Sequence, residues 1–202
     1  MGGESMGGAL VHMALAQAGP TLADKVLLLA PAVLGISHMP GFMSASIQHL
    51  NIWAPNLQLS HFGARSLGIR PSDDPQVIRQ INTDPLFNQR TSVNSLYGVA
   101  HLMDEAFITP LQPTVPTLVM YGLQDKIIPP RAVCRWLRHQ TTIAPHTATQ
   151  FYIYPQGWHM LTRQTQAASV LEDIQQWLKS GQAARPSTPS LDLPQAVDAV
   201  CF

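Results

Sequence analysis

The sequence has few charged residues and no excess of either sign. Asp, Glu, Lys and Arg make up 12% of its 202 residues, and 12 basic residues balance 12 acidic ones. Globular proteins usually carry about 25% of such residues. Because the formal net charge is zero, the composition gives no support to binding of nucleic acid or of an anionic membrane surface.

Long hydrophobic runs and cysteines are also scarce. The longest nearly apolar run, residues 26–36, has 11 residues, whereas a membrane-spanning helix needs about 20. Cys134 and Cys201 are too few for a disulfide framework, and the first residues do not resemble a signal peptide. The sequence therefore predicts a soluble, cytoplasmic chain that has no transmembrane segment and keeps both thiols reduced.

The residues that are present alternate between helical and strand patterns. Short apolar runs closed by breakers predict strands at 25–30, 117–121 and 151–154. Amphipathic spacing predicts helices over about 5–18, 129–140 and 164–179. This order is typical of an α/β fold in which helices flank a parallel sheet.

Two segments do not follow this alternation. Residues 35–112 mix prolines and methionines with amphipathic pieces, which predicts a mostly helical insertion. Residues 182–202 carry Pro186, Pro189 and Pro194 among Ser and Ala, which predicts a flexible tail. Residues 1–181 then form one α/β core that the insertion interrupts.

A candidate nucleophile lies near the start of the chain. Gly3-Glu4-Ser5-Met6-Gly7 matches the pattern G-x-S-x-G, in which glycines permit a tight turn that holds the serine at the head of a helix. The helix N-terminus offers backbone N–H groups to a developing negative charge. The alternative is that Ser5 only caps the helix, as serine often does.

A serine nucleophile also needs a base and an acid that orients the base. Asp125 follows the strand at 117–121, and His159 follows the strand at 151–154. The carboxyl ends of parallel strands meet at one edge of a sheet, so both side chains are expected near Ser5. The alternative for Asp125 is a turn residue ahead of a helix. No H-E-x-x-H motif or closely spaced cysteine pair occurs, so no metal is expected.

These three blocks resemble α/β-hydrolases of the monoacylglycerol lipase and lysophospholipase-like group, which is of the serine aminopeptidase S33 type. The matching segments are GESMGG at 3–8, YGLQDKIIPP at 121–130 and YPQGWHML at 154–161. The resemblance implies that Ser5 is the nucleophile, Asp125 the orienting acid and His159 the general base. It also implies that the backbone N–H of Met6 is an oxyanion donor and that no cofactor is needed.

The insertion is similar to the helical cap of bacterial members of this group. Apolar side chains beneath such a cap are expected to line an acyl pocket, and ordinary core packing is the alternative. The candidates are Met39, Met43, Met103 and Trp53.

The sequence departs from the family before the serine motif. Family members carry earlier strands and a His-Gly loop there, so the resemblance covers the C-terminal two-thirds of the fold. We therefore expect a partial α/β-hydrolase, truncated at its N-terminus and in need of the missing strands, with a partner that supplies them as the alternative.

The expected function is hydrolysis of a lipid or small-molecule carboxylic ester, of monoacylglycerol or lysophospholipid type, through an acyl-enzyme. Two alternatives stay open. One is an inactive fragment or binding module, and the other is a serine aminopeptidase of the same fold.

Overall fold

The computed structural model describes residues 1–38, 41–60, 68–88, 90–180 and 188–202. The strands in these ranges are β1 (Gly2–Glu4), β2 (Val26–Leu29), β3 (Gln58–Ser60), β4 (Arg90–Ser92), β5 (Thr117–Gly122) and β6 (Thr149–Tyr154). The α-helices are α1 (Met6–Ala18), α2 (Gly41–Trp53), α3 (Pro75–Thr83), α4 (Val93–Ile108), α5 (Pro130–Ile143), α6 (Ala167–Ser180) and α7 (Leu193–Cys201).

Four strands form a parallel sheet in the order β1-β2-β5-β6. Every residue of β5 is buried, as expected for a strand that is covered on both faces. The register runs from Val26 opposite Thr117 in β2 and β5, and from Thr117 opposite Thr149 in β5 and β6. The predicted parallel α/β architecture is confirmed.

Strand β1 corrects the expectation for the start of the chain. Three strands were predicted, with the edge of β2 exposed, but Gly2–Glu4 pairs with that edge from Gly2 opposite Leu27 to Glu4 opposite Leu29. The backbone N–H of Ser5 continues the ladder by donating to the Leu29 carbonyl at 2.9 Å. Two glycines and a glutamate carry no strand propensity, so β1 depends on the edge that it covers.

Alternating side chains of the sheet fill two hydrophobic cores. On one face, Leu28, Val119 and Phe151 pack with buried residues of α1, α5 and α7. On the other face, Met120 and its neighbours pack against Trp177 and other residues of α6. Helices therefore cover both faces of the sheet and leave its carboxyl edge to the loops that carry the candidate site.

Helices α2, α3 and α4 occupy much of the segment between β2 and β5. The antiparallel pair β3–β4 accompanies them, and its strands are too short to be recognised from sequence. Ser37 lies near the start of the segment. Its backbone N–H and its hydroxyl donate hydrogen bonds to the carboxylate of Asp104 on α4. A Cβ on Gly35 would lie 2.1 Å from the Ala100 carbonyl oxygen, so only glycine fits at position 35. That the segment acts as a cap stays a prediction.

The described end of the chain, residues 188–202, packs against the core, which corrects the prediction of a flexible tail for this part of 182–202. Leu191 and Phe151 exchange two backbone hydrogen bonds of 2.9 and 3.0 Å. A capping box between Asp192 and Gln195 starts α7, and its buried Ala196 joins the core shared with α5. The surrounding Pro and Ser composition hides this short helix. Residues 182–187 of the predicted tail lie outside the described residues.

Cys134 on α5 and Cys201 on α7 form a disulfide. The packing of the two helices brings their Cα atoms to 5.2 Å, a separation that suits a disulfide. The prediction of reduced thiols is therefore wrong. The sequence could not reveal the bond, because two cysteines 67 residues apart give no sign that they are in contact. Disulfides persist mainly in oxidising compartments, so the cysteines no longer support the predicted cytoplasmic location. Among the described helices, none has the length and apolar character that crossing a bilayer requires.

Candidate active site

Ser5 lies in a sharp turn between β1 and α1. Its backbone has φ 54° and ψ −119°, a conformation that is costly for a residue with a side chain. The turn is held by hydrogen bonds from the backbone N–H groups of Ala9 and Ala32 to the Ser5 carbonyl, at 3.2 and 3.0 Å. The Ser5 hydroxyl does not cap α1, which argues against the capping alternative and leaves the hydroxyl available for chemistry.

Two glycines make this turn sterically feasible. A Cβ on Gly3 would lie 2.2 Å from the Gly7 carbonyl oxygen, and a Cβ on Gly8 would lie 3.2 Å from the Cα of Pro31. A Cβ on Gly7 would meet nothing within 4 Å. The first glycine of the motif is thus required by close backbone approach, whereas the second is not.

Met6 is the first residue of α1. The backbone N–H groups in the first turn of a helix have no acceptor within the helix, and the helix dipole adds positive partial charge there. The position that was predicted to donate to an oxyanion therefore has an N–H that helix geometry leaves available beside Ser5.

Asp125 and His159 meet at the carboxyl ends of β5 and β6. The Nδ1 of His159 donates to the Oδ2 of Asp125 at 2.7 Å, and the two residues are only 6% and 2% exposed. The other oxygen of Asp125 accepts from the backbone N–H groups of Ile127 and Ile128 at 2.7 and 2.9 Å. Because an ionised carboxylate only accepts, this contact places the proton on Nδ1 and leaves Nε2 free to act as a base.

A buried tyrosine supports the Asp125 loop from the strand below it. The hydroxyl of Tyr121 donates to the Ile128 carbonyl at 2.7 Å. Burial raises the pKa of Tyr121, and the negative charge of Asp125 raises it further. Tyr121 therefore stays a neutral donor that fixes the loop.

Backbone contact between two glycines sets the spacing of the Asp125 and His159 loops. A Cβ on Gly122 would lie 2.3 Å from the Gly157 backbone, and one on Gly157 would lie 2.9 Å from the Cα of Gly122. The backbone N–H of Gln124 donates to the Gly157 carbonyl at 2.8 Å. The loops therefore lie as close as two chains can, which allows the short contact between Asp125 and His159.

Residues 71–73 of the insertion hold the His159 loop from outside the sheet. The Met160 N–H donates to the Pro71 carbonyl at 2.8 Å, and the Ser72 hydroxyl donates to the Arg163 carbonyl at 2.6 Å. The insertion is thereby connected directly to the segment that carries the histidine.

Glu4 is a charged neighbour of Ser5 to which the sequence assigned no role. Its Oε1 is buried and has no hydrogen-bond partner among the described residues. Burial raises the pKa of Glu4, while the charges of His159 and Arg163 act to lower it. A carboxylate therefore lies within electrostatic reach of the candidate base, a contact that only the folded structure reveals.

An apolar cavity of about 360 Å³ lies among α2, β3 and α4. Among the described residues, its lining is hydrophobic and consists of Ile47, Leu50, Leu59, Val93, Leu96, Val99, Ala100 and Met103. Of these, only Met103 was predicted to line a pocket. The helical spacing of the apolar residues on α4 is the sequence signal that could have identified the lining residues of that helix.

The other predicted pocket residues have different outcomes. Trp53 ends α2 with its side chain 83% exposed, so it does not line the cavity. Met39 and the side chain of Met43 lie outside the described parts of the structure.

His12 is a second buried histidine, and it has a structural environment. Its Nε2 lies 3.0 Å from the Thr109 carbonyl oxygen, and its ring meets that of Trp136 edge to face. Burial lowers the pKa of His12, so the ring is neutral in the folded protein. Within the described ranges, no three His, Cys, Asp or Glu side chains are grouped to hold a metal ion.

The part of the chain that carries this site matches a known protein family. A family model described as serine aminopeptidase, S33 (Hydrolase_4) matches residues 1–166. The chain belongs to this family. The match includes the three segments on which the resemblance was based.

Solved structures with the α/β-hydrolase fold resemble this chain over most of its length. The monoacylglycerol lipase of Paleococcus ferrophilus is 24% identical, with a TM-score of 0.69, and the match covers 89% of this chain and 67% of that one. A soluble variant of monoglyceride lipase from Saccharomyces cerevisiae, in complex with a substrate analogue, is 18% identical, with a TM-score of 0.65 and coverage of 92% and 62%.

An esterase from Exiguobacterium antarcticum is 17% identical, with a TM-score of 0.57 and coverage of 89% and 66%. The chain thus spans about two thirds of the length of these proteins. Likeness at such identities establishes the fold alone.

Proposed function

We propose that this hydrolase cleaves carboxylic esters with Ser5 as nucleophile, His159 as general base and Asp125 as the residue that orients His159. The observation that carries the proposal is the 2.7 Å hydrogen bond between Asp125 and His159, made at the sheet edge where the Ser5 turn also lies. The strained Ser5 backbone and the free N–H groups at the start of α1 support it.

The reaction follows from these positions. The Oγ of Ser5 attacks the ester carbonyl while its proton passes to Nε2 of His159. The N–H of Met6 donates to the oxyanion. The C–O bond to the alcohol then breaks, and His159 returns the proton to the departing oxygen. Water cleaves the acyl-enzyme by the same sequence, with His159 again taking and returning the proton.

We further propose a substrate of monoacylglycerol or lysophospholipid type. The cavity in the insertion offers about 360 Å³, and the described side chains that line it are apolar, which suits an acyl chain. Met103 belongs to this lining, and methionine adapts to flexible apolar ligands. Two of the structurally similar proteins are described as monoacylglycerol and monoglyceride lipases.

Fluorophosphonate labelling of the 202-residue chain, read by intact mass, tests the nucleophile. We expect one adduct on the wild type, none on Ser5→Ala and full labelling of Ser169→Ala, which removes a serine from the first turn of α6 instead. Labelling of Ser5→Ala at the wild-type level would exclude Ser5. A folded chain that takes no label would reject the proposal and favour the inactive-fragment alternative.

Aminopeptidase activity is a second candidate, because the description of the family names an aminopeptidase. Rates on p-nitrophenyl esters and on aminoacyl p-nitroanilides separate the two activities. We expect ester cleavage, because the described cavity is apolar and offers no charge to a free amine. Faster cleavage of the anilides would replace esterase with aminopeptidase activity.

A further inference from the structure

We propose that Glu4 is a positioning residue of this site: from the end of β1, its carboxylate faces His159 and stabilises the imidazolium that forms when His159 takes the Ser5 proton. The inference rests on the proposed function. It makes His159 the partner of two carboxylates that come from two different strands of the sheet.

The position of Glu4 follows from the sheet. Glu4 is the last residue of β1, pairs with Leu29 and immediately precedes Ser5. Because β1, β2, β5 and β6 are parallel, the end of β1 lies at the same edge as Asp125 and His159. Glu4 therefore reaches the site from the strand that carries the nucleophile.

The carboxylate of Glu4 is poorly satisfied by its surroundings. Within the described part of the chain, its buried Oε1 has no hydrogen-bond partner, an arrangement that costs free energy in any protein. Such a group calls for a specific explanation. Proximity to a residue that becomes cationic during the reaction supplies one.

The positive charges that face Glu4 come from one loop. His159 and Arg163 both act on the carboxylate. The elements packed against β1 add nothing comparable: β2 has no titratable side chain, and His12 of α1 is turned to a backbone carbonyl at the end of α4. Lys25 precedes β2 at its opposite end and binds carbonyls of α6.

The attraction between Glu4 and His159 acts in both directions. Burial raises the pKa of Glu4, whereas His159 and Arg163 lower it. Burial is the larger effect, so on balance the pKa of Glu4 lies above its usual value, and the nearby Arg163 opposes that shift and favours the ionised carboxylate. An ionised Glu4 would in return stabilise positive charge that develops on the His159 ring.

The pH profile of kcat/KM on p-nitrophenyl butyrate tests this role. We expect Glu4→Gln to lower the plateau about threefold to tenfold and to move the acid limb down by roughly 0.5–1 pH unit, as loss of a nearby charge does. Glu4→Asp should restore part of both. Glu172→Gln, which removes an exposed carboxylate from α6, should leave the profile unchanged. An acid limb of Glu4→Gln that superimposes on the wild type would overturn the inference.

A titration that needs no turnover separates this inference from the proposed function. The ¹³C resonance of the Glu4 carboxyl is followed against pH in the wild type, His159→Gln and Arg163→Gln. Both variants should titrate at higher pH than the wild type, because each loses a charge that favours ionised Glu4. An unchanged midpoint in His159→Gln would overturn the inference and leave the esterase proposal intact. The expected shift without any ester cleavage would reject the esterase proposal instead.

Discussion

Two residues without side chains determine whether Asp125 and His159 can meet. Gly122 and Gly157 place the backbones of their loops in contact, so that a Cβ on Gly122 would lie 2.3 Å from Gly157. The hydrogen bond between the acid and the histidine follows from this approach. At the scale of single residues, an added methyl group at either glycine should therefore disturb the site.

Gly122→Ala should separate the two loops. We expect a loss of about 2 kcal/mol in the free energy of unfolding from overpacking and a fall in kcat/KM on the order of a hundredfold from misplacement of His159. Gly98→Ala on α4 is the matched control, because its Cβ would meet nothing within 4 Å. Urea unfolding and ester hydrolysis measure both effects. Wild-type values for Gly122→Ala would show that the glycine contact is not required.

The sequence could point to Ser5, Asp125 and His159 because each lies in a short motif, and the motifs of Asp125 and His159 each follow a predicted strand. The structure brings Asp125 and His159 into contact, and it places Ser5 in the expected turn. Trp53 was wrongly placed in a pocket, since a helical pattern does not reveal which face of an insertion is covered. The environment of Glu4 was equally out of reach, because it depends on a loop more than 150 residues away in the chain.

At the scale of elements, the cavity among α2, β3 and α4 should determine acyl-chain preference. Val99→Phe adds volume to its lining, so we expect the best substrate to change to a shorter acyl chain. Trp53→Ala changes an exposed side chain of α2 and should leave the preference as it is. Rates on p-nitrophenyl esters from acetate to laurate measure this. An unchanged profile for Val99→Phe would place acyl binding elsewhere.

The packing of α1 near the end of α4 should make the fold sensitive to acid. Burial lowers the pKa of His12 from its ordinary value of 6.5. As the pH falls through that value, the unfolded chain takes up a proton and the folded chain does not. Stability is therefore full above about 6.5 and decreases below it, by at most about 1.4 kcal/mol per pH unit for one proton.

Unfolding by urea at pH 7.5 and pH 5.5 checks this dependence. His12→Gln should lose less stability on acidification than the wild type does. His146→Gln, which changes an exposed histidine, should behave like the wild type. Equal acid sensitivity of all three proteins would assign the effect to other groups.

Among the elements, length decides what the sequence could reveal. Strands β2, β5 and β6 and helices α5 and α6 carry apolar runs or amphipathic stripes that stand out from their surroundings. Strand β1 has three residues and α7 has nine, and both form because a neighbour is already in place. For β1 that neighbour is the edge of β2, and for α7 it is the surface of α5.

At the scale of the whole molecule, the disulfide should be a major stabilising element. Cys134 and Cys201 are 67 residues apart, and closing a loop of that length stabilises a fold by about 4 kcal/mol in the chain-entropy model. The variant with both Cys134→Ala and Cys201→Ala should unfold at a lower urea concentration than the oxidised wild type. Adding a reducing agent should bring the wild type to the level of the variant and leave the variant unchanged. Equal midpoints with and without reductant would show that the bond contributes nothing.

The overall α/β order could be predicted because strands and helices that alternate along the chain are typical of a parallel sheet. The return of the C-terminal segment to β6 and α5 could not, since neither Leu191 nor Cys201 carries a local signal for a distant partner. Order along the chain reveals neighbours in the sheet, and contacts across its helical layers remain hidden.

The disulfide also determines how the molecule responds to a mechanical load. Because Cys201 is bonded to Cys134, tension applied to the chain beyond Cys201 passes through the bond into α5 and bypasses β6, α6 and α7. In the oxidised protein, the 67-residue interval adds nothing to the extension of a pulled chain. Cutting the bond would release about 230 Å of additional contour length. A tether attached at the C-terminus therefore pulls directly on the helix that follows the Asp125 loop.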